Sequence, residues 1–177
     1  NPVDDFEAYY ESSNRLWHTW SSGVDSWDNG SQASLSYDPV HGGAQAMQLD
    51  YDNESEWLNY FSETTRSLSM NFSEAGGVAL DIWIRGTASN TADSLYLELG
   101  DGNTTDKVEL TDANLVSETW QVLRINLSTF GLNLATIQSI SLCVGDKDAP
   151  APGGVGVIYV DDIAIHPVRC LGGNPYG

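Results

Sequence analysis

Apolar and polar residues alternate with a period of two along much of this 177-residue chain, and no segment keeps a helical period for long. The alternation predicts strands near 3–9, 33–38, 44–52, 58–68, 77–85, 93–100, 106–111, 120–128, 138–145 and 155–166. Turn chemistry separates them: Asp28-Asn29-Gly30, Gly42-Gly43, Gly76-Gly77, Asp101-Gly102-Asn103 and the run from Pro150 to Gly154. One short helical turn is expected at 128–132. About ten strands at this spacing predict an all-β fold, a two-sheet antiparallel β-sandwich of the jelly-roll kind. It would be a single domain over 1–169, with a Gly/Pro-rich tail or linker at 170–177.

The alternation also assigns faces. Val78, Leu80, Ile82 and Ile84 point inward, and Asp81, Trp83 and Arg85 outward. Leu95, Leu97 and Leu99 point in, with Tyr96 and Glu98 out; Val108 and Leu110 point in, with Glu109 out. Leu123, Ile125 and Leu127 point in, with Trp120, Val122, Arg124 and Asn126 out. Aromatic rings stack on the C–H faces of sugars, and planar polar groups bond their hydroxyls. Trp83, Arg85, Tyr96, Glu98 and Arg124 are therefore candidate carbohydrate contacts. Competing roles exist for the indoles. Trp120 begins a strand, where it would plug a sandwich end, and Trp83 would be lost to solvent beneath the opening loop or a neighbouring subunit. The long connection from Arg15 to Gly30 holds Trp17, Trp20 and Trp27. Trp17 and Trp20 are expected to tuck under the sandwich. Trp27, between Ser26 and Asp28, is expected to be exposed and open to a ligand or partner.

Composition narrows the partners. Twenty-five acidic residues face seven basic ones, a net charge of -18, which repels nucleic acid and anionic lipid. No apolar run approaches the roughly 20 residues of a membrane helix, so no membrane insertion is expected. The start at Asn1 reads as a mature or excised segment. Sequons at Asn29, Asn53, Asn71, Asn103 and Asn126 point to a secreted, glycosylated protein at the cell surface or outside the cell. Cys143 and Cys170 have two open fates: a mutual disulfide, adding roughly 3 kcal/mol, or a bridge from Cys170 to another chain. His18, His41 and His166 lie in no nucleophile, metal or phosphate motif, and no catalytic role is expected. The stretch Asp101–Asp112 mimics an EF-hand loop, but Asp106 stands where glycine is required and Asp112 where glutamate is; it reads as a hairpin turn.

The acids cluster at both chain ends, in "VDDFEAYY" and "VIYVDDIAI". A buried carboxylate without a partner costs several kcal/mol. If the first and last strands are neighbours, three to five carboxylate oxygens gather where few cations exist to neutralise them, and Ca²⁺ suits such a set.

The succession "VDDFEAYY", "HGGAQAMQLDY", "VALDIWIRG", "LYLELGDG", "ETWQVLRINLSTF", "SISLCVGD" and "GGVGVIYVDDIAIHP" spans Val3 to Pro167. It resembles the galactose-binding-like jelly-roll domains of bacterial extracellular proteins, and among them the family-11-like carbohydrate-binding modules. That resemblance implies a concave sheet face holding a glycan chain. It also implies a structural Ca²⁺ tying the first strand, the Gly-rich turn before the third and the last strand. Carried over by position, its ligands would be Glu7, Asp161 and either Asp5 or Asp162, with backbone carbonyls near His41 to Gly43. The expected function is an extracellular, non-catalytic module binding a polysaccharide or glycan. The alternative is a structural repeat subunit that assembles with copies of itself, head to tail, in a fibre or surface layer.

Overall fold

A computed structural model of the chain describes residues 1–10, 13 and 15–167. The tail at 170–177 and Cys170, with either fate for its thiol, lie outside the described residues. Among the described residues ten strands form: β1 (Pro2–Asp4), β2 (Gln32–Ser36), β3 (Ala46–Asp52), β4 (Ser62–Met70), β5 (Gly77–Arg85), β6 (Leu95–Gly100), β7 (Thr105–Glu109), β8 (Gln121–Asn126), β9 (Ile137–Val144) and β10 (Val155–Pro167). Helical structure among the described residues is confined to short 3₁₀ turns, one of them at Leu127–Thr129. Among the described residues no helix is long and apolar enough to cross a membrane.

The strands make two antiparallel sheets. A six-stranded sheet runs β2-β3-β10-β5-β8, with β1 beside β10; a four-stranded sheet runs β4-β9-β6-β7. Direct partners across the four-stranded sheet share a face. Thr64, Leu142, Leu97 and Val108 form one inward row. Leu80, Ile82, Ile84, Leu97, Leu99, Ile140, Leu142, Ile158 and Val160 are fully buried between the sheets. Each contributes about 1.5–3 kcal/mol of burial, which is why the alternation in the sequence survives as the core pattern. Val78, expected inside, lies past the end of the core and is exposed.

The chain ends meet. Pro2 pairs with Ala164 and Asp4 with Ile163, and Asn1 exchanges backbone bonds with Ile165. The opening strand is much shorter than the expected 3–9, because Asp4 turns the chain. Its carboxylate accepts from the Phe6 amide (3.0 Å), the Tyr9 hydroxyl (2.6 Å), the Trp20 indole (2.8 Å) and Arg66 (2.7 Å). Phe6 takes a left-handed φ of 59° there. Trp20 is thus buried as expected, but Trp17 is half out in solvent.

Strand β10 carries a bulge at Asp162, whose φ is 45°. Buried side chains fall at Ile158 and Val160, then at Ile163 and Ile165. The extra residue lets two adjacent aspartates sit in a core strand without either entering the core.

Two sequon asparagines belong to the interior. Asn53 is fully buried and donates to Asp93 and the Val144 carbonyl while accepting from Ser62. Asn29 is buried and accepts from the Ser31 and Glu63 amides. Neither offers its side-chain nitrogen to a glycan, so the sequon reading is corrected at these two positions.

Candidate functional site

The expected contacts do not share one face. Trp83, Arg85 and Arg124 lie on β5 and β8 of the six-stranded sheet, whereas Tyr96 and Glu98 lie on β6 of the four-stranded sheet. Period-two alternation separates inward from outward, but it does not say which sheet an outward residue belongs to.

On the six-stranded face most outward groups are engaged by the protein itself, although Trp120 Nε1 has no hydrogen-bond partner. The His41 ring stacks on Trp83, with centroids 3.7 Å apart and planes 17° from parallel, and meets Trp120 edge-on at 5.7 Å. Trp83 is covered, and the cover is the β2–β3 loop rather than the opening loop. Arg124 makes a two-pronged pair with buried Asp81 through Nε (2.8 Å) and Nη2 (2.6 Å), which raises the guanidinium pKa. Arg85 is half-buried, with its Nε lacking a hydrogen-bond partner.

The loop carrying His41 is clasped by acids from both chain ends. Asp161, fully buried, accepts from the His41 (2.8 Å) and Gly42 (3.1 Å) amides through Oδ2 and from the Asp162 amide (2.8 Å) through Oδ1. Burial raises its pKa, and these three bonds pull it back only in part. Asp162 Oδ2 meets His41 Nδ1 at 2.7 Å. Glu7 Oε1 accepts from the Ala44 (2.8 Å) and Gln45 (2.9 Å) amides. Asp5 accepts from the Glu7 amide at 3.2 Å. Gly43 has φ 60°, and a Cβ there would run into the Glu7 carboxylate.

The expected metal set is thereby brought around one turn, but backbone N–H groups already hold many of its oxygens. Among the described residues no group of three or more His, Cys, Asp or Glu side chains is placed to hold a metal. The donors are nonetheless of the hard-oxygen class that suits Ca²⁺. An ion here would take one or two carboxylates and complete its shell with backbone carbonyls and water.

The four-stranded face has another character. Its outward rows are Glu63–Cys143–Tyr96–Glu109 and Thr65–Ser141–Glu98–Lys107. Lys147 bridges Glu63 (2.7 Å) and Glu98 (2.8 Å), and Lys107 lies over the Tyr96 ring at 4.8 Å. Burial raises the Glu63 pKa despite the neighbouring ammonium. Burial also works against the charge on Lys147, but the two carboxylates outweigh it and its pKa rises.

At the Ser62–Val144 end of this sheet stand the two most exposed large apolar side chains among the described residues, Trp27 (74% exposed) and Trp57 (82%). Trp27 closes the turn Gly23–Ser26 with a left-handed φ of 56°, and Asn59 closes the turn Glu56–Leu58 at 60°, as does Tyr60 beside it. Non-glycine residues in this region are uncommon and persist where the surroundings hold them. The two turns hold each other: Asn59 Nδ2 donates to the Asp28 carbonyl at 2.7 Å, and Gly30 donates to the Phe61 carbonyl at 2.8 Å. The sequence reading found Trp27 but missed Trp57. The signal is present in "DNESEWLNY", where an indole stands among polar residues, just before the strand expected at 58–68.

No family model matches the chain, and no curated protein matches it. Solved structures do. The family 11 carbohydrate-binding module of the cellulosomal cellulase Lic26A-Cel5E of Clostridium thermocellum covers 95% of this chain and 94% of its own, with a TM-score of 0.60 at 15% identity. A family 11 module from the same organism, in complex with a β-1,3-1,4-mixed-linked tetrasaccharide, covers 94% and 95%, with a TM-score of 0.59 at 17% identity. A family 30 carbohydrate-binding module covers 85% of this chain and 92% of its own, with a TM-score of 0.62 at 11% identity. The chain has the jelly-roll sandwich fold of these modules.

Proposed function

We propose that the chain is a non-catalytic, extracellular or cell-surface module that binds a neutral polysaccharide at the rim formed by Trp27 and Trp57. The carrying observation is that these two exposed indoles sit on turns fixed to one another through Asn59. A rigid exposed indole offers stacking area at little ordering cost. Asp25, Asp28, Glu54 and Glu56 flank the indoles in sequence, providing hydroxyl acceptors and disfavouring anionic glycans. The tetrasaccharide bound by a structural neighbour supports the ligand class. Affinity electrophoresis against a panel of neutral polysaccharides tests the reading. Wild type should be retarded by at least one, and Trp27→Ala with Trp57→Ala should abolish the retardation; free migration of wild type through all of them refutes it.

The proposal includes a structural Ca²⁺ at the clasp, held by one or two carboxylates from Glu7, Asp161, Asp5 and Asp162, with the Gly43 carbonyl and water completing its shell. An ion at a thousandfold excess over its Kd adds about 4 kcal/mol, so EDTA should lower the melting temperature by several degrees. An unchanged melting temperature refutes a tight site.

One observation favours the fibre alternative. Strands β7 and β8 each end a sheet, and Val108, Leu110, Leu123 and Ile125 line a groove between them, an opening for an added strand. A clean monomer in size-exclusion chromatography ends that alternative.

A further inference from the structure

Cys143 and Ser141 occupy outward positions on β9, yet they are only 3% and 4% exposed. The cover is the segment that follows the strand. Gly145, with φ 83°, turns the chain back while its amide donates to the Ser94 carbonyl at 2.8 Å. The Cys143 thiol donates to the Gly145 carbonyl at 3.2 Å. Lys147 then reaches Glu63 on β4 and Glu98 on β6, spanning the strand between them. Lys107 on β7 pairs with Asp146 and Asp148 of the same segment. The Asp148 amide closes a tight turn onto Asp146 at 3.0 Å. Residues 145–149 are thus a strap fastened to three of the four strands beneath it.

Beyond the strap the next outward row is Ser67, Ser139, Gly100 and Thr105, which has no aromatic. A ligand stacked on Trp27 and Trp57 therefore meets a charged bar rather than an open sheet. We propose that Lys147 is a specificity-determining residue: by latching the strap to Glu63 and Glu98, it confines the site to short oligosaccharides and chain ends and keeps a long glycan from running across the sheet. This rests on the rim reading given under Proposed function, but its structural half is testable without any sugar.

The experiment uses the full chain with Cys170→Ser, so that Cys143 is the one thiol. Lys147→Met keeps the aliphatic stem but removes the latch, and Glu63→Gln weakens it from the other side without leaving a carboxylate unpaired; circular dichroism confirms that each variant folds. With a disulfide reagent, wild-type Cys143 should react slowly, and both variants should react at least about tenfold faster, as local opening becomes easier. In parallel, affinities are measured for a mixed-linked β-1,3-1,4-glucan and for the tetrasaccharide cut from it. Wild type should favour the tetrasaccharide, and Lys147→Met should shift that preference toward the polymer by about tenfold. Equal thiol rates in wild type and both variants overturn the strap. Faster thiol reaction with an unchanged preference overturns the role in specificity. If wild type retains no glycan at all, the rim reading and the specificity role fall together, while the thiol rates still judge the strap.

Discussion

The two outer faces of the sandwich carry similar residue types and differ in what covers them. Over the six-stranded sheet, the β2–β3 loop lays His41 on Trp83, and Arg124 is committed to Asp81. Over the four-stranded sheet, a charged strap seals the middle, but two indoles stand clear at one end. An outward aromatic is therefore not automatically a wet one. What decides is whether a neighbouring loop is anchored firmly enough to stay over it.

On the six-stranded face the anchor is the clasp, so the largest expected effect lies there. Asp161→Ala removes the acceptor of three partly buried amide donors, each loss costing about 1–2 kcal/mol. Chemical denaturation should show a loss of about 3–6 kcal/mol; a loss below 1 kcal/mol would mean the loop is held elsewhere. Trp83→Ala removes the platform under His41 and should cost about 2 kcal/mol in the same assay, less than a fully buried indole, with glycan affinity unchanged. Weakened glycan binding in that variant would reverse the assignment of the two faces.

The four-stranded face gives the most gradual effect, spread along the pH scale, through Cys143. Burial pushes its thiol up from 9.0 to about 12. The unfolded chain loses this proton near 9.0 and the folded chain keeps it, so the folded state binds more protons in that window. Stability should therefore fall as pH rises from 9 toward 12, by about 1.4 kcal/mol per pH unit from this group. Cys143→Ser should flatten that slope in denaturation curves taken across the window. An equally steep slope in the variant would place the thiol in contact with solvent.

Much of the fold was legible because burial enforces alternation: β5 was expected at 77–85 and found at Gly77–Arg85. Boundaries failed where side chains overrule the pattern. Asp4 ends β1 by accepting from two nearby donors, Phe6 and Tyr9, and two distant ones, Trp20 and Arg66, and no local pattern announces the distant pair. The meeting of the chain ends was legible from the sandwich reading, in which first and last strands are often neighbours, and β1 does pair with β10. The site was legible only in part. Trp27 stood out as an indole in a polar loop, but the split of Trp83 and Tyr96 between faces depends on sheet order, which is set by long-range pairing. The stacking of His41 on Trp83 depends on the Asp161 clasp across more than a hundred residues of sequence.

On the proposed reading, sugar binds at the Trp27–Trp57 rim and not over Trp83. Isothermal titration of wild type, Trp57→Ala and Trp83→Ala with one retained oligosaccharide tests it most directly. The account predicts that Trp57→Ala loses about tenfold to a hundredfold in affinity while Trp83→Ala binds like wild type. Loss of binding in Trp83→Ala with wild-type affinity in Trp57→Ala would contradict it.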